Sequence, residues 1–241
     1  MTSSTENLCN TANHYKSKVY QNAGNHGLIT LLDKECISIL DIGCGAGDNA
    51  KLFLTANSDV NIYGITLSTS EARIAQQYMK NCWTADIERD LPADILNMRF
   101  DALIFSHVLE HLRDPGEVIA RYISLLREGG EVLIAVPNIL SWRYRMQFLM
   151  GRFEYESFGT LDETHLRFFT FISADRNLLR LVPELYVISK TVEGSVPLWI
   201  LRRYVFPKFM SDWIDRLGCR YFPNLFGEQI LIKAVKRRSN L

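Results

Sequence analysis

Three glycines at alternate positions, Gly43, Gly45 and Gly47, follow an acid at Asp41 in the segment Ile39-Leu-Asp-Ile-Gly-Cys-Gly-Ala-Gly-Asp48. Only glycine lets a ligand come that close to the backbone of a turn with unusual dihedrals, so this loop has the composition of a small-molecule cradle. The spacing is not G-x-G-x-x-G, which seats a dinucleotide pyrophosphate on the following helix, and a nicotinamide cofactor is disfavoured on that count. Further along, His107-Val-Leu-Glu-His111 fits H-x-x-E-H, a spacing in which two histidines one helical turn apart can share a metal ion. His165 lies after a stretch rich in aromatic and basic residues. A neutral imidazole there, with a free pKa of about 6.5, could take a proton from a reacting hydroxyl; the alternative is a hydrogen-bonded structural histidine.

These groups need a scaffold. Strand-like runs at Ile37–Ile42, Val60–Ile65, Cys82–Ala85, Phe100–Phe105 and Glu131–Val136 alternate with helical stretches. One helix is expected from Asn49 to Leu54. A second starts at the capping pattern Ser68-Thr-Ser-Glu71 and runs through Tyr78. A third opens at Pro115, carries Val118, Ile119, Tyr122, Leu125 and Leu126 on its core side, and stops at Gly129-Gly130. The alternation predicts an α/β fold, a doubly wound, Rossmann-like, mostly parallel sheet with helices on both faces. After Pro137-Asn138 the texture changes, and more than half of the aromatic residues fall between Leu140 and Phe226. Two late runs, Tyr186–Thr191 and Gln229–Ala234, could add a terminal pair of strands. The chain therefore reads as a single domain, 1–241: an N-terminal cap (1–36), a ligand-binding core (37–138), a substrate-covering lid inserted after the fifth strand (139–185), and terminal strands with an aromatic insertion (186–241).

Composition removes whole classes of function. The 241 residues are 47% hydrophobic and 22% charged, the balance of a folded globule rather than a disordered or collagenous chain. Lysine plus arginine equals aspartate plus glutamate at 27 each, so no net field steers the molecule onto nucleic acid. Cys9, Cys36, Cys44, Cys82 and Cys219 form no C-x-x-C pair, which argues against a zinc ribbon or disulfide framework and for reduced thiols. The polar start and the absence of a run of about 18 apolar residues make a cytoplasmic protein without an integral membrane segment the expectation. Between Val196 and Phe226, Trp199, Tyr204, Phe206, Phe209 and Trp213 mix with Arg202, Arg203 and Lys208, a pattern that could also lie on a membrane surface.

Five segments in order resemble the motifs of the class I S-adenosylmethionine-dependent methyltransferases: Ile39–Asp48, Gly64-Ile-Thr-Leu-Ser68, Ala85-Asp-Ile87, Phe100–Pro115 and Leu126–Asn138. The stretch Asp162–Thr170 is similar to a bacterial subgroup related to ubiquinone-biosynthesis O-methyltransferases. The resemblance implies S-adenosylmethionine as cofactor, with Asp41 and the backbone of Gly43, Gly45 and Gly47 at its methionine portion. It places Asp86 at the adenine amino group, Ile87 against the ring, and Thr66 and Leu67 near the ribose. Family members usually carry an acid where this chain has Thr66; Glu71, five residues on, either takes its place or caps its helix. Ser106 and His107 fall at the mouth of the site, so His107 and His165 are the candidate catalytic residues, Asp162 orients His165 across a helical turn, and His111 is a structural hydrogen-bonding residue. In this register H-x-x-E-H is read without a metal. The implied reaction is methyl transfer to a small-molecule acceptor, O-methylation of a sugar, glycan precursor or secondary metabolite. A nicotinamide-dependent oxidoreductase and a cofactor-binding regulatory protein without turnover remain the competing readings. In the lid, Trp142, Tyr144, Phe148, Phe153, Tyr155 and Phe158, interleaved with Arg143, Arg145 and Arg152, either cover the acceptor or fill an added helical layer.

Overall fold

The structure, a computed structural model, describes residues 23–89, 91–198, 202 and 204–238. Cys9, Trp199 and Arg203, named above, lie outside them. The elements in chain order are α1 (His26–Ile29), β1 (Ser38–Ile42), α2 (Asp48–Ala56), β2 (Asn61–Thr66), α3 (Thr69–Ala75), β3 (Asn81–Thr84), β4 (Phe100–Ser106), α4 (Pro115–Tyr122), β5 (Leu126–Pro137), α5 (Trp142–Leu149), α6 (Ala174–Leu179), β6 (Leu185–Gly194), α7 (Lys208–Tyr221), α8 (Pro223–Phe226) and β7 (Gly227–Lys236).

Seven strands form one sheet in the order β3-β2-β1-β4-β5-β7-β6. The first five are parallel, and β7 runs antiparallel to both β5 and β6. Strand side chains alternate between faces, and the core divides accordingly. Leu40, Ile42, Leu103, Phe105, Val132 and Ile134 pack with Val118, Ile119 and Tyr122 of α4 and Leu178 of α6. Ile39, Ile62, Ala102, Ile104 and Leu133 pack on the other face with Phe53 of α2, Ala72 and Ala75 of α3 and Leu28 of α1. Helices thus cover both faces, as expected of a parallel sheet. The winding reverses between β1 and β4, and in such folds a ligand sits at the carboxyl ends of the strands at that switch point.

One expected element is different. The helix opened by Pro115 ends at Tyr122, passes through a 3₁₀ turn at Ile123–Leu125, and the chain is already extended at Leu126. Leu126 pairs with Phe100, whereas Ala102, two residues on, pairs with Glu131. The surplus residues bulge out of the ladder, and Gly129, at φ 77°, absorbs the bend. The glycine pair therefore marks an irregularity inside a strand, not a helix stop.

Candidate active site

The cradle forms where β1 ends. Gly43, Gly45 and Gly47 have φ of 81°, 52° and 87°, a left-handed region costly for residues with a side chain. A Cβ at Gly43 would lie 2.4 Å from Val108 Cγ2, and one at Gly47 would lie 3.0 Å from the Ala75 Cα. The backbone N–H groups of Gly43 and Cys44 donate to Ile65 O at 2.8 and 3.0 Å, tying the loop to β2. Cys44 is buried, with its sulfur 3.6 Å from that of Cys82. Its contact with Cys82 and its burial push the thiol well above its ordinary pKa, so it is an inert filler rather than a nucleophile.

Asp41 is fully buried, and its register places it between Gly64 of β2 and Ile104 of β4. Its Oδ2 accepts from Asn49 Nδ2 at 3.3 Å, while Oδ1 has no partner. Burial pushes this carboxyl up to about 7 against the pull of the Asn49 bond. A buried oxygen of this kind demands a donor or a positive charge. An amino group arriving at the end of β1 supplies both, so the residues present fit the methionine end of S-adenosylmethionine.

At the end of β2, the Thr66 hydroxyl donates to Glu71 Oε2 at 2.8 Å, and both residues are buried. Ser68 caps α3 by accepting from the Glu71 backbone N–H at 3.3 Å. The Glu71 carboxylate is thus turned toward the strand end where the family usually has an acid. Leu67 beside it is exposed. Asp86 follows β3, accepts from Glu88 N at 3.0 Å and pairs with Arg89 at 3.3 Å on the surface, while Ile87 is buried in the core.

β4 ends at Ser106, paired with Ala135 of β5, and His107 follows in a left-handed conformation at φ 51°. Both of its ring nitrogens are engaged. Nε2 lies 2.8 Å from Gln229 Oε1, an oxygen that can only accept and that also receives Asn25 Nδ2 at 2.9 Å. Nδ1 lies 3.4 Å from Glu110 Oε1. Desolvation pushes His107 down, but the Glu110 bond and charge, with the Gln229 bond, hold it above its ordinary pKa. Burial opposes ionisation of Glu110 in turn, yet His107 and His111 hold its carboxyl below the usual range. The His107 ring is thereby held between Gln229 and Glu110. The chain Asp41, Asn49, Asn25, Gln229, His107 joins the cradle to the mouth, since Asn25 N donates to Asn49 Oδ1 at 2.9 Å. Of these links, Asn25, Asn49 and Gln229 carry no short-range sequence signal.

The lid segment docks on the turn after β4 through Leu166 N and Arg167 N, which donate to Glu110 O at 2.8 and 3.0 Å. His165 and His111 meet edge to face with centroids 4.6 Å apart. His165 is oriented by the Thr160 carbonyl, 2.9 Å from Nδ1. The expectation that Asp162 orients it is not met: no helix forms there, and the Asp162 carboxylate turns back to accept from Thr164 N and Oγ1. Tyr144 and Phe169 are buried, and the Tyr144 hydroxyl accepts from Thr160 N at 3.0 Å. Phe153, Tyr155 and Phe158 are exposed. No helix among the described residues is long and apolar enough to cross a membrane.

A family model described as a methyltransferase domain matches residues 15–174. A ubiquinone biosynthesis O-methyltransferase of Cupriavidus pinatubonensis is 29% identical over 139 residues, which are 52% of this chain and 55% of that protein. The chain spans about half the length of the curated relatives it matches. Among solved structures, an S-adenosylmethionine-dependent methyltransferase of Archaeoglobus fulgidus superposes with a TM-score of 0.55 at 19% identity, covering 84% of this chain and 87% of that one. The plantazolicin methyltransferase BpumL, solved with S-adenosylhomocysteine, gives 0.55 at 17%, covering 87% and 80%. With the family model matched over well over half of its residues, its motifs in order and its sheet in this topology, the chain belongs to the class I S-adenosylmethionine-dependent methyltransferases.

Proposed function

We propose that this chain transfers a methyl group from S-adenosylmethionine to a small-molecule acceptor, by O-methylation of a sugar, glycan precursor or secondary metabolite. The observation that carries the reading is the buried, unpartnered Asp41 Oδ1 at the floor of a left-handed glycine loop, at the switch point of the sheet. When bound, the cofactor supplies a methyl group already activated on a positive sulfur. The protein's task is then alignment and exclusion of water. Asp41 receives the amino end, Gly43, Gly45 and Gly47 give the backbone approach, Glu71 with Thr66 and Leu67 stands at the ribose, and Asp86 and Ile87 flank the adenine. Ser106 and His107 form the mouth, where Gln229 and Glu110 hold the His107 ring in place against cofactor or acceptor. His165 is the group assigned to the acceptor's proton: its Nδ1–H is spent on Thr160 O, which leaves Nε2 with a lone pair.

Calorimetry tests the assignment. S-Adenosylhomocysteine should bind at about micromolar strength or better and NAD should not; the reverse pattern would sink it. Release of adenosylhomocysteine on hydroxylated sugars and phenols separates an enzyme from a binding protein without turnover. On a verified acceptor, His165→Ala should lower turnover roughly 10²- to 10⁴-fold with cofactor affinity unchanged.

A further inference from the structure

A cleft of about 660 Å³ lies between β6 and the corner of α7 and α8, with Phe171, Val192 and Pro223 as its apolar wall. That is the size of a small-molecule site. Five charged side chains also line it, and three of them are engaged elsewhere. Lys190 Nζ reaches Asp175 Oδ1 at 2.6 Å and stands 4.7 Å from the centroid of the Phe171 ring. Asp215 Oδ1 accepts from Val196 N at 2.8 Å and from Arg202 Nη2 at 2.7 Å. Glu193 Oε2 accepts from Gln229 Nε2 at 2.7 Å.

Arg216 and Arg220 differ. They stand one turn apart on α7, both exposed, and among the described residues neither guanidinium is paired with a carboxylate. Arg216 Nε donates at 3.4 Å to the Asp212 carbonyl, a bond within its own helix. Like charges at this spacing destabilise a helix, and the carboxylates of the cleft are turned to other partners. A tetrahedral oxyanion would relieve both arginines, because each guanidinium presents a fork of N–H donors that matches phosphate oxygens.

Two links tie the cleft to the mouth of the site. Gln229, bonded to Glu193, also lies against His107. Asn224, next to Pro223, accepts from Phe171 N at 3.0 Å through Oδ1, and its carbonyl accepts at 3.4 Å from Asn138, the residue that follows β5.

We propose that this cleft binds a phosphate or diphosphate group carried by the methyl acceptor, with Arg216 and Arg220 as the phosphate-binding residues. The inference rests on the methyl-transfer reading and narrows its acceptor to a phosphorylated sugar or glycan precursor. The anionic end lies against the arginines and the body against Phe171, Val192 and Pro223, which leaves a hydroxyl to reach the mouth past Glu193 and Gln229. A phosphate ester does not change charge during methyl transfer, so the cleft contributes binding and alignment, not chemistry.

The test is calorimetric titration of the chain with pyrophosphate, glucose 1-phosphate, UDP-glucose and uncharged methyl glucoside, each with and without adenosylhomocysteine. Pyrophosphate and at least one of the two esters should bind at submillimolar strength, and methyl glucoside should not; the two esters separate a monophosphate from a diphosphate site. Arg216→Gln with Arg220→Gln should weaken that binding at least about 10-fold, while Arg216→Lys with Arg220→Lys, which keeps the charge and loses the fork, should fall between. Circular dichroism and adenosylhomocysteine affinity report whether each variant is folded. On a verified phosphorylated acceptor, the glutamine pair should raise KM by about 10-fold or more. Absence of pyrophosphate binding to the parent, binding unaltered in the folded glutamine pair, or binding abolished by adenosylhomocysteine, which would place the anion in the cofactor cradle, overturns the site. Failure of adenosylhomocysteine to bind would refute the methyl-transfer reading and leave the pyrophosphate titration standing.

Discussion

The strands of the sheet and the outer surfaces of the lid and α7 treat their apolar side chains in opposite ways. In the first, alternate residues of β1, β2, β4 and β5 go to one face or the other and are sealed by helices. In the second, Leu149, Phe153, Tyr155 and Phe158 stand exposed along the lid, and Phe209 and Trp213 along α7. A packed side chain specifies the fold, whereas an apolar side chain left in water is free to specify a ligand or a surface. On the proposed function, the cofactor's place is built into the first half, and the choice of acceptor falls to the exposed surface of the lid.

Substitutions can break that division. The largest effect belongs to the cradle: Gly45→Val should weaken adenosylhomocysteine binding by roughly 10³-fold, about 4 kcal/mol, in a chain that stays folded by circular dichroism. Binding that survived would mean that the loop is not the approach path. Next comes Asp41. Its carboxyl rises from 3.8 to about 7 on folding, so between those values the folded chain holds a proton that the unfolded chain has released, and stability falls as pH rises through that window. Asp41→Asn should remove the dependence, exceed the parent in urea unfolding above about pH 7 by at most roughly 4 kcal/mol, and converge with it toward pH 4.

A smaller effect is expected at Glu71. The α3 cap rests on the Ser68 hydroxyl and the Glu71 backbone, so Glu71→Ala should weaken cofactor binding by roughly 1 to 3 kcal/mol. A fall in melting temperature without loss of affinity would return Glu71 to a purely structural role. Least of all should be felt at Phe158, 71% exposed: Phe158→Ser should change stability by less than about 0.5 kcal/mol while raising KM for a verified acceptor. A large stability loss there would show that the lid surface is packed after all.

What could be read from the amino-acid order follows the same division. Phe100–Phe105 is buried on both sides except at Asp101, so it reads as an almost continuous apolar run, and Asp41 at the end of its strand with the glycines that follow discloses the site. The end of α4 cannot be read from the spacing, because Leu125 and Leu126 keep helical periodicity, while the pairing of Leu126 with Phe100 is decided across the sheet. The H-x-x-E-H spacing was visible, but not that His165 and Thr164 would come to His111, nor that Gln229 would hold His107. Contacts between residues 50 or 120 positions apart leave no periodicity behind. Glu131 is a like case: a charged residue opening an apolar run, buried because Lys233 Nζ meets it at 2.7 Å from β7.

β7 enters the sheet between β5 and β6, although it follows both in the chain. The slot beside β5 must wait for it, and Gln229, which reaches His107 and Asn25 from that strand, comes with it. The glycine loop needs only the first two strands, but the mouth of the site is complete only once the last strand in the chain has paired. During folding, β5 passes through a period with one edge bare and apolar, the condition in which sheet proteins pair wrongly or aggregate. Such distant pairing is also slow, so closure of β7 is the step at which refolding of this chain should be rate-limited and the point at which a chaperone would have most to protect.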